Sequence, residues 1–432
     1  MEKKYAKTAI TNASVFDGRD LIGIKTVVFE NGIIIAIGED IPDDAEIVNG
    51  EGATLLPGLI DSHVHTSLDG LREALRFGVT TELEMAGGFT KNGRELQLKG
   101  IYDVADVRSS GLGLSAPGGH PDELLPDEEG IPDFILKKLE HMNEEDKATF
   151  LASFEAHDES EKTGPDVTTI EGAILFVNRQ VDNGADYFKI MIEEGTVMNA
   201  PGLPMISKDV MKAAVDEAHR LNKMAIAHVL TAETTKTAIE IGMDGLAHLF
   251  IDRPKWTPEL ITAIAKSGVF VTPCLVLNSS IIGNNACHIA HDERVISKLD
   301  EAWVNTMCSC FHTFPQGDLQ DSFKNLLDLH NAGVDLLVGT DVSFPVPTLG
   351  GLAHGVSVHH EMQLFVEAGL SPFDALRSAT YIPAKRFELY DRGTIAIGKR
   401  ADLLLVNGEP TKNISDSLSI IAVWKAGVNH NN

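Results

Sequence analysis

Two periods of apolar residues run along this chain. Short apolar runs alternate with stretches in which apolar positions recur every three or four residues. The first period suits strands and the second amphipathic helices. The strand-like runs are LIDSHVH (59–65), VTTELEMA (79–86), VRSSGLGLSA (107–116), ADYFKIMIE (185–193), KMAIAHVL (223–230), GLAHLF (245–250), VFVTPCLVL (269–277) and DLLVGTDV (335–342). Helical patterns follow most of them. In SKDVMKAAVDEAHRLNK, Ser207 is a candidate cap, and Val210, Met211, Ala214, Val215, Ala218 and Leu221 share one face. Eight strands alternating with helices predict an α/β fold, a closed (β/α)8 TIM barrel, with a doubly wound open sheet as the competitor.

Both ends of the chain read differently. KTAITNASVF (7–16) and KTVVFENGIIIAIGED (25–40) are strand-like, and Asn31-Gly32 is a hairpin signal. GTIAIGKRADLLLVNGEP (393–410) and IIAVWKAGV (420–428) look alike. Residues 1–57 and 390–432 are therefore expected to pair into one small β-sandwich domain beside a barrel of residues 58–389. Two connections exceed the usual length, at about 121–168 and 278–325. Long inserts after strands shape active-site mouths, and a lid is expected there.

Composition narrows the partners. The 432 residues carry a net charge of −27. So acidic a chain argues against nucleic acid or an anionic membrane as partner. Four cysteines, Cys274, Cys287, Cys308 and Cys310, are few for a secreted chain of this size. Cys308 and Cys310 read as two ordinary thiols in a reducing compartment. With no apolar leader and no run long enough to span a bilayer, a soluble cytoplasmic protein is expected.

The chemistry gathers at the ends of the strand-like runs. In an extended run alternate side chains share a face, so Asp61, His63 and His65 point one way while Ile60, Ser62 and Val64 point the other. Two imidazoles side by side at a strand end can grip a metal ion. A lone His-Val-His is weak, since a pair of surface histidines would look the same. His228, His248 and Asp341 occupy corresponding ends of later runs. Buried unpaired histidines and aspartates are costly, and five at matching ends favour a metal site. Lys189 lies mid-run among apolar residues. Burial lowers an amine's pKa, and a neutral amine can take up carbon dioxide as a carbamate with two oxygens for bridging metals. A salt bridge to Glu193, Glu194 or Asp341 is the plain alternative. Beside four histidines and an aspartate, the carbamate is favoured.

The motifs LLPGLIDSHVH, GADYFKI, AIAHV, GLAHL, VGTD, EAGLSPFDALRSAT and GTIAIGKRADLLLV cover nearly the whole chain. Together they resemble the amidohydrolase superfamily, in its binuclear carboxylated-lysine branch and prolidase-like group. The resemblance implies two divalent metal ions, with zinc expected. It implies that His63, His65 and Asp341 hold one ion and His228 and His248 the other, with carboxylated Lys189 and a hydroxide bridging them. It implies that Asp341 moves the proton from the nucleophile to the leaving amine. Homo-oligomers are common in such families.

The expected activity is hydrolysis of an amide C–N bond in a small molecule. His120, in SAPGGH (115–120), resembles a substrate-facing histidine of prolidase-like relatives, although a loop histidine held in a turn by Gly118 and Gly119 reads equally well. Leu230 stands where a carboxylate-binding Tyr is often found, and EEGTVMN replaces a TGG-like stretch. Both differences lean away from dipeptides toward an apolar acyl or aryl amide, with carbamates, esters and lactones as alternatives. VSFPVP (342–347) and CLVLNSSII (274–282) would add apolar residues at the mouth, and His354 is a further candidate substrate contact. Deamination ranks lower. It would use a Glu after the fifth run, and Glu233 suits a helix start as well.

Overall fold

The computed structural model describes residues 7–124, 164–347 and 349–430. The strands are β1 (Thr8–Phe16), β2 (Leu21–Glu30), β3 (Ile33–Gly38), β4 (Glu46–Asn49), β5 (Ala53–Pro57), β6 (Leu59–Val64), β7 (Val79–Glu84) and β8 (Asp106–Ser109). After them come β9 (Phe188–Met191), β10 (Ala225–His228), β11 (Gly245–Ala247), β12 (Phe270–Thr272), β13 (Leu403–Asn407), β14 (Ile420–Lys425) and β15 (Val428–Asn429).

Both ends of the chain share one sheet. Its order is β15-β14-β13-β5-β1-β2-β3, with β4 pairing to β1. The hairpin between β2 and β3 turns on Asn31 (φ 51°) and Gly32 (φ 81°), the two left-handed positions that an Asn-Gly turn supplies. One face of this sheet buries its own apolar cluster, including Ile10, Val27, Phe29, Leu55, Leu403 and Trp424. Residue alternation explains it: on β13, Leu403 and Leu405 enter this cluster, while Leu404 and Val406 enter the main core.

The central strands form two parallel sheets, β6-β7-β8 and β12-β11-β10-β9. Three isolated parallel bridges adjoin their edges: Leu114 to Ile190, Val271 to Leu336, and Val64 to Val342. Seven of the expected runs contain a named strand, and the eighth, 335–342, contributes only those last two bridges. Helices follow the strands as the periodicity requires. Lys208–Arg220 buries Val210, Met211, Ala214, Val215 and Ala218, although Ser207 at its N-cap makes no side-chain capping hydrogen bond. Glu233 lies exposed in the first turn of the helix Ala232–Ile241.

The second long connection is short helices, Leu275–Ile282, Cys287–Ala290, Glu293–Ile296 and Glu301–Met307. The first, with its expected lid, falls mostly outside the described residues. The expectation of ordinary thiols at 308 and 310 is corrected for Cys308, which is disulfide-bonded to Cys287; Cys274 and Cys310 are free. Sequence could not show this pairing because 20 intervening residues fold back to bring the two together. Among the described residues no helix is long and apolar enough to cross a membrane.

Candidate metal centre

β6 carries the buried His63 one residue before its end at Val64, and His65 follows the strand. The chain after Leu336 runs beside β6, and Ser62, His65 and Asp341 exchange backbone hydrogen bonds across this boundary. Asp341 Oδ1 consequently lies 3.0 Å from His63 Nε2 and 3.1 Å from His65 Nε2. Asp341 adopts φ 64°, an uncommon conformation for a residue with a side chain, and such strain concentrates at functional sites. Gly339 allows the close approach: a Cβ there would stand 2.3 Å from Thr272 Cγ2 and 3.0 Å from the His63 nitrogen.

The other candidates join this group. The His63 and His248 rings stack with centroids 4.6 Å apart, and His228 meets His248 edge-on at 4.8 Å. Lys189 projects from β9 and is buried. Its ammonium's one polar contact among the described residues is His63 Nε2, at 3.5 Å. The salt-bridge alternative is absent: Glu193 Oε2 sits 3.4 Å from His228 Nε2, and Glu194 accepts from Thr196. His63, His65, Lys189, His228, His248 and Asp341 thus form one connected cluster.

Burial sets the protonation of the cluster. It lowers Lys189 to about 8 against the opposing pull of Asp341. Burial and the nearby Lys189 amine lower His63 to about 3. His228 and His248 are pushed well down, chiefly by burial. Burial would raise Asp341, but His63 and His248 hold it well below the usual carboxylate range. Burial would lower His65, but Asp341 raises it, whereas neutral imidazoles at His63, His228 and His248 and an ionised carboxylate are the forms that bind metal.

The donor set fits divalent cations. Ligand atoms of His63, His65 and Asp341 lie within 4.8 Å of one another, as do those of His63, His248 and Cys274. Among the described residues, buried His63 Nδ1, His228 Nε2 and His248 Nδ1 have no hydrogen-bond partner. Cys274 was not expected at this centre. Its position in an apolar run gave no hint, but the chain turns sharply there (φ 50°) and the thiol enters the cluster. Asp61 and Glu193 also belong to the surroundings. Burial raises Glu193 to about 7.

His120 packs its ring on His228, with centroids 4.3 Å apart, and its Nδ1 lies 2.6 Å from Glu123 Oε1. Two other candidates lie in the interior. His354 has no exposed surface. Its Nδ1 lies 2.7 Å from Glu82 Oε1 and its Nε2 lies 3.0 Å from the Ser343 carbonyl, so both nitrogens serve the interior. Burial alone would lower its pKa, yet the Glu82 carboxylate raises it. Leu230 is fully buried in the main apolar core, so packing occupies its side chain.

Residues 142–429 match the amidohydrolase family. The chain belongs to that family. This amidohydrolase is 24% identical over 467 residues to ochratoxinase from Aspergillus niger, covering 98% of this chain and 86% of that protein. It is 33% identical over 132 residues to enamidase from Eubacterium barkeri, covering 26% of this chain and 34% of that one. Among solved structures it is similar to a Xaa-Pro dipeptidase with bound methionine (TM-score 0.71, 20% identity, 99% of this chain, 100% of that one). It is equally similar to phenylurea hydrolase B (TM-score 0.71, 20% identity, 98% of this chain, 96% of that one). These likenesses establish the superfamily fold. The amidohydrolase is an enzyme for C–N bond hydrolysis, of a family that typically binds divalent metals.

Proposed function

We propose that this amidohydrolase cleaves the amide bond of a small acyl or aryl amide or peptide-like substrate, at a centre of two divalent cations with zinc as the expected metal. The observation that carries the reading is the convergence of four histidines, Asp341 and the buried Lys189 from separate segments of the chain. His63, His65 and Asp341 would hold one cation, and His228 and His248 the other. Bound cations would polarise the scissile carbonyl and lower the pKa of water.

The residues supply the rest. Lys189, whose pKa burial lowers to about 8, would add carbon dioxide at Nζ, forming an N–C bond and losing a proton, and the resulting carbamate would supply two oxygens for the cations. Asp341 accepts the proton of the attacking water and returns it to the leaving nitrogen. His120, anchored through Nδ1 by Glu123, directs Nε2 toward the substrate's carbonyl oxygen.

The names ochratoxinase, molinate hydrolase and phenylurea hydrolase among the relatives support a substrate outside ordinary dipeptides, in the prolidase-like group. We also read residues 58–389 as a (β/α)8 barrel, supported by the three parallel bridges at the sheet edges, and residues 1–57 with 390–432 as a separate β domain. The test is a panel of N-acyl amino acids, aryl amides, carbamates and lactones, assayed with the native chain and Asp341→Asn. The reading expects amide turnover that the Asn variant largely loses, because its side-chain amide cannot take up the proton. Amide turnover unchanged by Asp341→Asn would overturn it.

A further inference from the structure

The second long connection carries a group of metal-ligand residues that the hydrolytic centre does not use. Cys287 opens the short helix Cys287–Ala290, and His291 follows it four residues on. Residues so spaced on a helical turn lie on one face. Cys308 follows the helix Glu301–Met307, whose last residue accepts a hydrogen bond from the Ala286 amide. This pairing brings the two segments side by side. His291 Nδ1 donates to the Cys287 carbonyl at 2.9 Å, a contact that metal binding would replace, and lies 3.5 Å from Cys287 Sγ and 3.9 Å from Cys308 Sγ. The three ligand atoms all fall within 4.8 Å of one another, and His291 is exposed to solvent.

The disulfide and a metal compete for the same sulfurs. We propose that Cys287, His291 and Cys308 form a redox-gated zinc site: closed by the Cys287–Cys308 disulfide, and open to one zinc ion when a thiol or phosphine reductant breaks it. Reduction adds two electrons and two protons, breaks the S–S bond and leaves two thiols. Zinc then binds two thiolates and the neutral imidazole, releasing the two thiol protons. Two sulfurs and a nitrogen select zinc over magnesium or calcium, which prefer oxygen. The fourth position would take water.

The location gives the site a structural consequence. Ser309, next to Cys308, donates from Oγ to the Pro347 carbonyl at 2.5 Å, and the Phe311 amide donates to Ser280 Oγ. The segment therefore spans from the helix Leu275–Ile282 to the chain that leaves Asp341. Either the disulfide or the zinc ion would tie it to the Cys287 helix, and the reduced, metal-free form would lack both ties.

The test uses the purified full chain, oxidised or reduced with a phosphine, loaded with zinc and freed of excess by gel filtration. Metal counting should find one more zinc per chain in the reduced form than in the oxidised form. Cys308→Ser should lose that increment and keep the zinc content of the oxidised native chain. His291→Ala retains both cysteines and should bind the extra zinc at least tenfold more weakly. Cobalt loading gives an independent readout: thiolate-to-metal absorption should appear on reduction and be missing in Cys308→Ser. Equal zinc content in the two redox states would overturn the proposal, as would an increment that survives in Cys308→Ser.

Discussion

Asp61 and Thr340 are joined twice: Asp61 Oδ2 accepts from Thr340 Oγ1 at 2.7 Å, and Oδ1 accepts from the Thr340 amide at 3.1 Å. Oδ1 also accepts from the His63 amide at 3.2 Å. One buried carboxylate thus sets the spacing between the strand that carries His63 and the neighbour of Asp341. Residues that orient metal ligands typically matter by about 10–100-fold in metal affinity. Asp61→Asn keeps the shape but removes the charge and one acceptor oxygen, so the Thr340 hydroxyl must give up its donation. Its metal affinity should fall by roughly that factor, read by competition with a chelator of known strength. An unchanged affinity would show that Asp61 serves folding alone.

Lys189→Ala should lose metal affinity and activity together, because the variant cannot form the carbamate. Formate or acetate should restore part of both by occupying the vacated volume with carboxylate oxygens. The check is metal content and initial rate across a formate series. A variant with native metal content and native rate would reduce Lys189 to a buried structural amine.

Acid should weaken the fold through His359. Its ring lies between Ser417 Oγ, at 2.8 Å from Nδ1, and the Phe77 carbonyl, at 2.9 Å from Nε2. Burial lowers its pKa from 6.5 to about 4. Between those values the unfolded chain binds the proton and the folded chain does not, so stability is full above 6.5 and falls as pH drops toward 4. The difference amounts to up to about 3 kcal/mol, at roughly 1.4 kcal/mol per pKa unit. Denaturant midpoints measured across this window should shift less with pH in His359→Gln than in the native chain. Parallel pH profiles would contradict the assignment.

Much of the centre was legible because its residues interrupt apolar runs. His63, Lys189, His228 and His248 each stand where an apolar strand should have no polar residue, and the structure brings them together. At His120 the sequence showed a glycine turn without showing a role: a Cβ at Gly119 would meet the Pro204 carbonyl at 2.6 Å, so the turn needs that glycine. Other features depend on partners distant along the chain. His354 looked like a mouth residue because nothing near it in sequence announces Glu82, its buried partner. Leu230 read as a substituted binding position, yet its environment is set by packing from elements that alternation along one strand does not reveal. The Cys287–Cys308 pair follows from how several short helices fold back, and short helices leave only weak periodic signals.

The hydrolytic centre is expected to need two divalent ions. The most direct measurement is zinc titration of the metal-free chain, with the Cys287–Cys308 disulfide intact, while following the rate on whichever amide the panel identifies. The rate should rise to its maximum at two equivalents of zinc per chain. Full activity in the metal-free chain, or a maximum at a single equivalent, would contradict the account.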